Sequence, residues 1–217
     1  MSTASANASA MDGIYRHQRH IYDLTRRYYL LGRNDLIAAL KPPSGGTVLE
    51  IGCGTARNLI LTAERYPDCQ LFGIDISAEM LKSAQSMVSR SGLGSRVRLA
   101  QGDATCFAAD DLLGVPRFDR VFLSYSLSMI PGWQAALQQA MQAVAPGGEL
   151  HVVDFGQQSA LPDWFGKALK TWLARFHVTP RQHLEEVMNA LAADSQGQLT
   201  FSSIYRDYAR IGVIHLP

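Results

Sequence analysis

The chain has 217 residues, 47% of them hydrophobic and 18% charged, with a formal net charge of +1. That balance suits one globular domain with a full core and excludes a low-complexity or disordered chain. Cys53, Cys69 and Cys106 are odd in number and lack C-x-x-C spacing, so neither a disulfide framework nor a zinc site is expected, and reduced thiols in a cytoplasm are the default. No apolar run approaches the roughly 18 residues needed to span a bilayer. Residues 1–10 lack the charged start and apolar centre of a secretory signal and are expected to form a disordered tail ahead of a single domain over 11–217.

Ile14, Ile21, Leu24, Tyr28 and Leu31 recur at helical spacing, which predicts one or two cap helices within residues 12–40, stopped at Pro42-Pro43. This stretch is locally basic, with Arg16, Arg19, Arg26, Arg27 and Arg33 against Asp23. Strand and helix then alternate: strand 47–51, helix 55–66, strand 70–74, helix 77–91, strand 96–101, an irregular segment with a short helix inside 104–114, strand 118–123 and helix 132–144. Ala145-Pro-Gly-Gly148 reads as a break before strand 149–155. Helices are expected at 163–175 and 180–193. The apolar runs 198–206 and 208–215 are too close together for a crossover helix, so they pair as an antiparallel hairpin. The alternation defines an α/β class built on a parallel sheet.

The densest chemical signal is Val48-Leu-Glu-Ile-Gly-Cys-Gly-Thr-Ala56 followed by Phe72-Gly-Ile-Asp75. An apolar run enters a Gly-x-Gly turn, a helical pattern leaves it, and a second apolar run ends in a carboxylate 21 residues after Gly54, the layout of a nucleoside-binding β-α-β unit. Glu50 chooses among nucleosides. Two residues before the first glycine, it repels a dinucleotide pyrophosphate and attracts the sulfonium and ammonium of S-adenosylmethionine, while Asp75 accepts both ribose hydroxyls. The ordinary alternative is that Gly52 and Gly54 form a tight turn found in any α/β protein.

These residues resemble the class I methyltransferases, whose first motif has the form acid-x-Gly-x-Gly-x-Gly. Ala56 stands at the third glycine, where its methyl fits only if the helix packs less closely on its strand. The resemblance implies a Rossmann-like, mostly parallel seven-stranded sheet with a C-terminal antiparallel hairpin. It implies S-adenosylmethionine held by the Gly52-Cys53-Gly54 turn, with Ile76 on one adenine face, Asp103 accepting from the adenine amino group and the Ala104 N–H against the ring. Asp103 is also placed to cap the turn that follows it. Ser124 and Tyr125, at the end of the fourth strand, are expected beside the transferred methyl. Methyl transfer needs positioning and a neutral acceptor but no metal. Asp154 is a candidate to orient an amine and Tyr125 or His151 to take its proton, although a histidine inside a strand more often packs in the core. The Asp/Asn-Pro-Pro-aromatic motif of nucleic-acid adenine methyltransferases is lacking, so no nucleic-acid partner is expected.

The stretch Tyr15-Arg-His-Gln-Arg-His-Ile-Tyr-Asp-Leu-Thr-Arg-Arg-Tyr-Tyr-Leu-Leu-Gly-Arg-Asn-Asp35, joined to Glu50-Ile-Gly-Cys-Gly-Thr-Ala-Arg-Asn58, is similar to the bacterial betaine-lipid N-methyltransferases, which methylate the amine of diacylglycerylhomoserine three times. That resemblance implies a cytoplasmic, peripherally membrane-associated enzyme working on a lipid head group at an anionic surface. Tyr22, Tyr29, Tyr205 and Tyr208 are candidates for cation-π contact with the acceptor, or for plain core packing, and Arg33 for its carboxylate. The run Leu161–Arg175 mixes Trp164, Phe165, Leu169 and Trp172 with Lys167, Lys170 and Arg175, as an interfacial helix does. A surface helix packed on the sheet has the same pattern. Methylation of a soluble small-molecule amine or carboxylate is the competing enzyme reading, and a non-catalytic cofactor sensor is the third.

Overall fold

The computed structural model describes residues 30–176 and 178–217. The tail at 1–10, the cap-helix region before residue 30, Tyr22 and Tyr29 lie outside the described residues. Within them, α1 (Arg33–Ala39) leads into β1 (Thr47–Ile51), α2 (Arg57–Arg65), β2 (Gln70–Asp75), α3 (Ala78–Arg90), β3 (Val97–Gln101), α4 (Ala109–Leu113) and β4 (Phe118–Ser124). A 3-10 turn at Leu127–Met129 follows, then α5 (Trp133–Gln142), β5 (Val144–Phe155), α6 (Asp163–Ala174), α7 (Leu184–Asp194), β6 (Gln198–Ile204) and β7 (Ala209–His215).

The seven strands lie in the order β3-β2-β1-β4-β5-β7-β6. Strands β1 to β5 pair in parallel, while β7 runs antiparallel to β5 and β6 to β7. The strand order reverses between β1 and β4, and the crevice outside their carboxyl ends is where open α/β sheets hold ligands.

The central strands are apolar on both faces because helices cover both. Leu49 and Ile51 of β1 point into a core with Trp133, Leu137 and Met141 of α5 and Leu184 and Met188 of α7. Val48 points the other way, among Leu36 and Ile37 of α1, Leu59 and Ala63 of α2 and Ala84 and Val88 of α3. Gly73 of β2 serves this packing: a Cβ there would lie 2.6 Å from Leu59 Cδ1 and 2.9 Å from Cys53 Sγ. At the head of α3, Ser77 accepts from the Met80 N–H, a capping bond worth about 1 kcal/mol.

Two sequence expectations change. The Ala145–Gly148 run is not a break before a strand; β5 starts at Val144, opposite Phe118, and resumes pairing at Glu149, opposite Arg120. Four residues are looped out against Asp119 alone, and the Gly147 N–H finds an acceptor in the Pro217 carbonyl. The helix expected from residue 180 starts at Leu184, because Arg181 is drawn away to donate to the carbonyls of Leu127, Ser128 and Ile130.

Candidate active site

The turn after β1 is pinned by backbone bonds: the Gly52 and Cys53 N–H groups both donate to the Ile74 carbonyl, at 2.8 and 3.0 Å. Gly52 has φ 75°, and a Cβ there would lie 2.7 Å from Ser126 Cβ, so only glycine lets the turn approach the loop after β4. Ala56 is also left-handed, with φ 62°, and is fully buried. The methyl is therefore accommodated through backbone strain at the N-cap of α2, where the sequence suggested looser helix packing.

Glu50 lies in the middle of the sheet, 1% exposed, between Gly73 of β2 and Phe122 of β4. A carboxylate buried this deeply needs donors, and Asn58 Nδ2, on the first turn of α2, donates to its Oε1 at 2.6 Å. Asp75 closes β2: its Oδ2 accepts from the Gly54 N–H at 2.8 Å and its Oδ1 from the Ser77 N–H at 2.9 Å. These bonds orient Asp75 at the end of β2. Cys53, between them, is buried, and burial together with the charges of Asp75 and Glu50 pushes its thiol well up. The thiol stays neutral and unreactive.

A cavity of about 170 Å³ opens beside this turn, lined by Glu50, Gly52, Cys53, Thr55, Asn58 and Ser124. Ser124 is 4% exposed and its Oγ has no hydrogen-bond partner among the described residues. An orphaned buried hydroxyl, a buried acid and a glycine turn fit a small cationic ligand carrying its own polar groups. Arg33 lines the same cavity as Glu50. Asn58 and Thr55 escaped the sequence reading; the question of what donates to a buried Glu50 would have found Asn58.

The adenine side is less enclosed. Asp103 Oδ1 accepts from the N–H and hydroxyl of Thr105 at 2.9 and 2.7 Å, so Asp103 does cap its own turn and has its second oxygen for a ligand. Ile76 and Ala104 are half-buried at the same rim.

The three candidate catalytic side chains are placed for structure. Tyr125 has φ 56° and is buried; its hydroxyl donates to the Leu31 carbonyl and its ring packs on Phe155 at 4.6 Å. Burial first, then the Asp154 charge, raises its pKa well above the usual phenol range, which leaves it a hydrogen-bond donor and not a base. Asp154 is fully buried, with Oδ1 accepting from the Phe155 N–H and Oδ2 from the Ser128 N–H. It ties β5 to the turn after β4. His151 shares its strand face with Glu149, and its Nε2 bonds Glu149 Oε2 at 2.7 Å, toward the amino end of β5. Burial lowers its pKa despite that partner, so it is a packed core residue, level with Phe122 and Glu50 across the sheet.

Of the acceptor candidates within the described residues, Tyr205 is half-exposed and donates to Asp35 Oδ2 at 2.8 Å, linking the β6–β7 turn to α1. Tyr208 is buried against Phe155, at 6.1 Å between ring centroids, and burial pushes its pKa up to about 12. Asp207 between them was not anticipated. It accepts from Arg210, Ser159, Ser203 and the Gln157 N–H, joining the turn to the segment after β5.

The doubly wound sheet, the buried acid of β1, the glycine turn and the acid closing β2 form the arrangement expected of a site for S-adenosylmethionine as cofactor. Residues 48–148 match the family described as methyltransferase domain. The demethylmenaquinone methyltransferase of Geobacillus kaustophilus is 29% identical over 145 residues, covering 66% of this chain and 56% of that protein. This chain thus spans little more than half the length of that relative. Among solved structures, phosphoethanolamine N-methyltransferase 2 of Haemonchus contortus, in complex with S-adenosylmethionine, superposes with a TM-score of 0.72 at 15% identity, over 95% of this chain and 59% of that one. An O-methyltransferase family protein of Burkholderia thailandensis gives 0.70 at 16% identity, over 93% and 61%. These two share the fold.

Proposed function

We propose that the chain transfers a methyl group from S-adenosylmethionine to the head-group amine of diacylglycerylhomoserine, repeating the step to the trimethylated betaine lipid, from the cytoplasmic face of an anionic membrane. The observation that carries methyl transfer is the buried Glu50, held by Asn58 in a cavity shared with the orphaned Ser124 hydroxyl. The lipid acceptor is supported by the sequence block Tyr15–Asp35 and by α6, where Trp164 is 71% exposed beside exposed Lys167, Lys170 and Arg175. No helix among the described residues is long and apolar enough to cross a membrane.

The cofactor supplies an activated methyl on a sulfonium. Glu50 and Asp75 would hold that cofactor, which would supply the methyl to an acceptor nitrogen and leave as the neutral thioether. With Tyr125, Asp154 and His151 committed to internal bonds, the protein contributes position and orientation.

Incubation with radiolabelled S-adenosylmethionine and vesicles containing diacylglycerylhomoserine is expected to put up to three labels into extracted lipid. Label in demethylmenaquinone instead supports a second reading, which the 29% identity to demethylmenaquinone methyltransferases favours. Label only in a water-soluble amine or carboxylate, without vesicles, removes both.

A further inference from the structure

We propose that Asp207 is a positioning residue for cofactor binding: it holds the strained turn between β6 and β7 in the shape that lets Tyr205 fasten the segment before β1 along the cavity. This role rests on the S-adenosylmethionine reading of that cavity and is independent of the acceptor.

Tyr205, Arg206 and Asp207 have φ of 53°, 61° and 61°, three left-handed non-glycine residues in succession. Elsewhere among the described residues such residues occur singly. Left-handed backbone is costly for a residue with a side chain, so the turn keeps this shape only because its surroundings impose it. Asp207 supplies the constraint. It is 6% exposed, and its Oδ1 accepts from Ser203 Oγ and Arg210 Nε, each at 2.9 Å. Its Oδ2 accepts from Ser159 Oγ at 2.7 Å and from the N–H groups of Gln157 and Ser159 at 3.2 Å. Its carbonyl accepts from the Gln158 N–H at 2.8 Å, and a Cβ at Gly156 would lie 2.2 Å from that oxygen. The carboxylate thus bonds both strands of its own hairpin and the loop after β5.

The turn reaches far along the chain. The Tyr205 hydroxyl donates to Asp35 Oδ2 at 2.8 Å, and Asp35 lies in the first turn of α1. Gly32, just before that helix, has φ 83°, and a Cβ there would lie 2.5 Å from Ile204 Cδ1. Only glycine lets the segment lie this close to the hairpin. The Leu31 carbonyl accepts from the Tyr125 hydroxyl, so residues 31–35 are held by the end of β4 on one side and by the hairpin on the other. Leu30 and Arg33 of this segment line the cavity that contains Glu50. A wall tied by few bonds opens more often when one is lost, and a ligand behind it then leaves faster.

The test is stopped-flow dissociation of S-adenosylhomocysteine from the whole purified chain, with the melting temperature of the ligand-free protein measured alongside. Tyr205→Phe and Asp35→Ala are each expected to raise the dissociation rate roughly three- to tenfold, the range for a solvent-exposed bond to a carboxylate, with the association rate unchanged. Tyr205 is half-exposed, so Tyr205→Phe is expected to leave the melting temperature unchanged. Asp207→Asn keeps the shape of the side chain and its tolerance of left-handed backbone but gives up the anion's bonds. It is expected to raise the rate at least as much, and adding Tyr205→Phe to raise it no further, since both act through one bond. Arg206→Gly removes the cost of left-handed backbone at the centre of the turn, and is expected to bring Asp207→Asn back to within about twofold of wild type while leaving Tyr205→Phe fast. An Asp207→Asn protein that is less stable but releases the ligand at the wild-type rate overturns the proposal. Additive effects of Tyr205→Phe and Asp207→Asn, or a glycine that slows both variants or neither, overturn it as well. If Asp207→Asn does not fold, Ser203→Ala, which removes one donor to the same carboxylate, is judged by the same rule. A wild-type protein with no affinity for S-adenosylhomocysteine instead removes the cofactor reading beneath it.

Discussion

Asn58 Nδ2 donates to Glu50 Oε1 at 2.6 Å, joining the first turn of α2 to the buried acid of β1. The bond couples the helix that follows the glycine turn to the buried charge of β1. Replacing Asn58 by Leu removes a donor from a buried anion, and losing a hydrogen bond to a charged group costs about 1.5–3 kcal/mol. Asn58→Leu is expected to lower the urea midpoint accordingly and to weaken S-adenosylhomocysteine binding more than tenfold by calorimetry. An unchanged affinity would show that Glu50 needs no orientation from α2.

Asp207 gives a pH-dependent prediction. Burial pushes its carboxyl up, but the Arg210 guanidinium and the hydroxyls of Ser159 and Ser203 outweigh burial and hold it well below the usual carboxylate range. A carboxyl with a depressed folded pKa contributes stability above its unfolded value near 4, and that contribution is lost as pH falls through the folded value. Asp207→Asn is expected to cost about 3 kcal/mol at pH 7, with the gap to wild type shrinking progressively below about pH 4. Denaturant titrations at pH 7, 4 and 3 measure it, and a gap independent of pH refutes the account.

Tyr125→Phe separates an anchor from a base. Its hydroxyl holds the Leu31 carbonyl, so the loss is expected to cost about 1 kcal/mol of stability and to reduce turnover by less than tenfold. The shape of the pH–rate curve should stay the same. A rate drop above a hundredfold, with a missing basic limb, gives the proton-transfer role back to Tyr125.

Ala56→Gly tests the strained N-cap. Left-handed backbone costs a non-glycine residue about 1–2 kcal/mol, and the buried methyl returns about 0.8 kcal/mol. The substitution is expected to stabilise the protein by up to about 1 kcal/mol in thermal melts, and clear destabilisation contradicts the strain account.

The order of elements and the hairpin were legible because each depends on short-range pattern: alternating apolar runs, the spacing from Gly54 to Asp75, and two strands too close for a crossover. The loop-out at Ala145–Gly148 was not, since proline and two glycines look the same in a turn and in a bulge. The places of Glu50 within β1 and of Asp75 at the end of β2 could be read from their neighbours along the chain. Tyr125, Asp154 and His151 could not, because a rim position says where a Cα lies and not which way its side chain turns. His151 follows the pleat toward Glu149, and Asp154 is claimed by a backbone N–H from the adjoining turn. The place of Arg33 on the cavity wall was not legible, because it depends on a segment fastened by Tyr205, 170 positions after Asp35.

The Asp35–Tyr205 bond spans 170 residues. Ribosomes add about 5–20 residues per second, so the partner that fastens this early segment emerges roughly ten to thirty seconds after it. During that interval the segment before β1 lacks its tie to the terminal hairpin. That tie is therefore among the last contacts the newborn molecule can make.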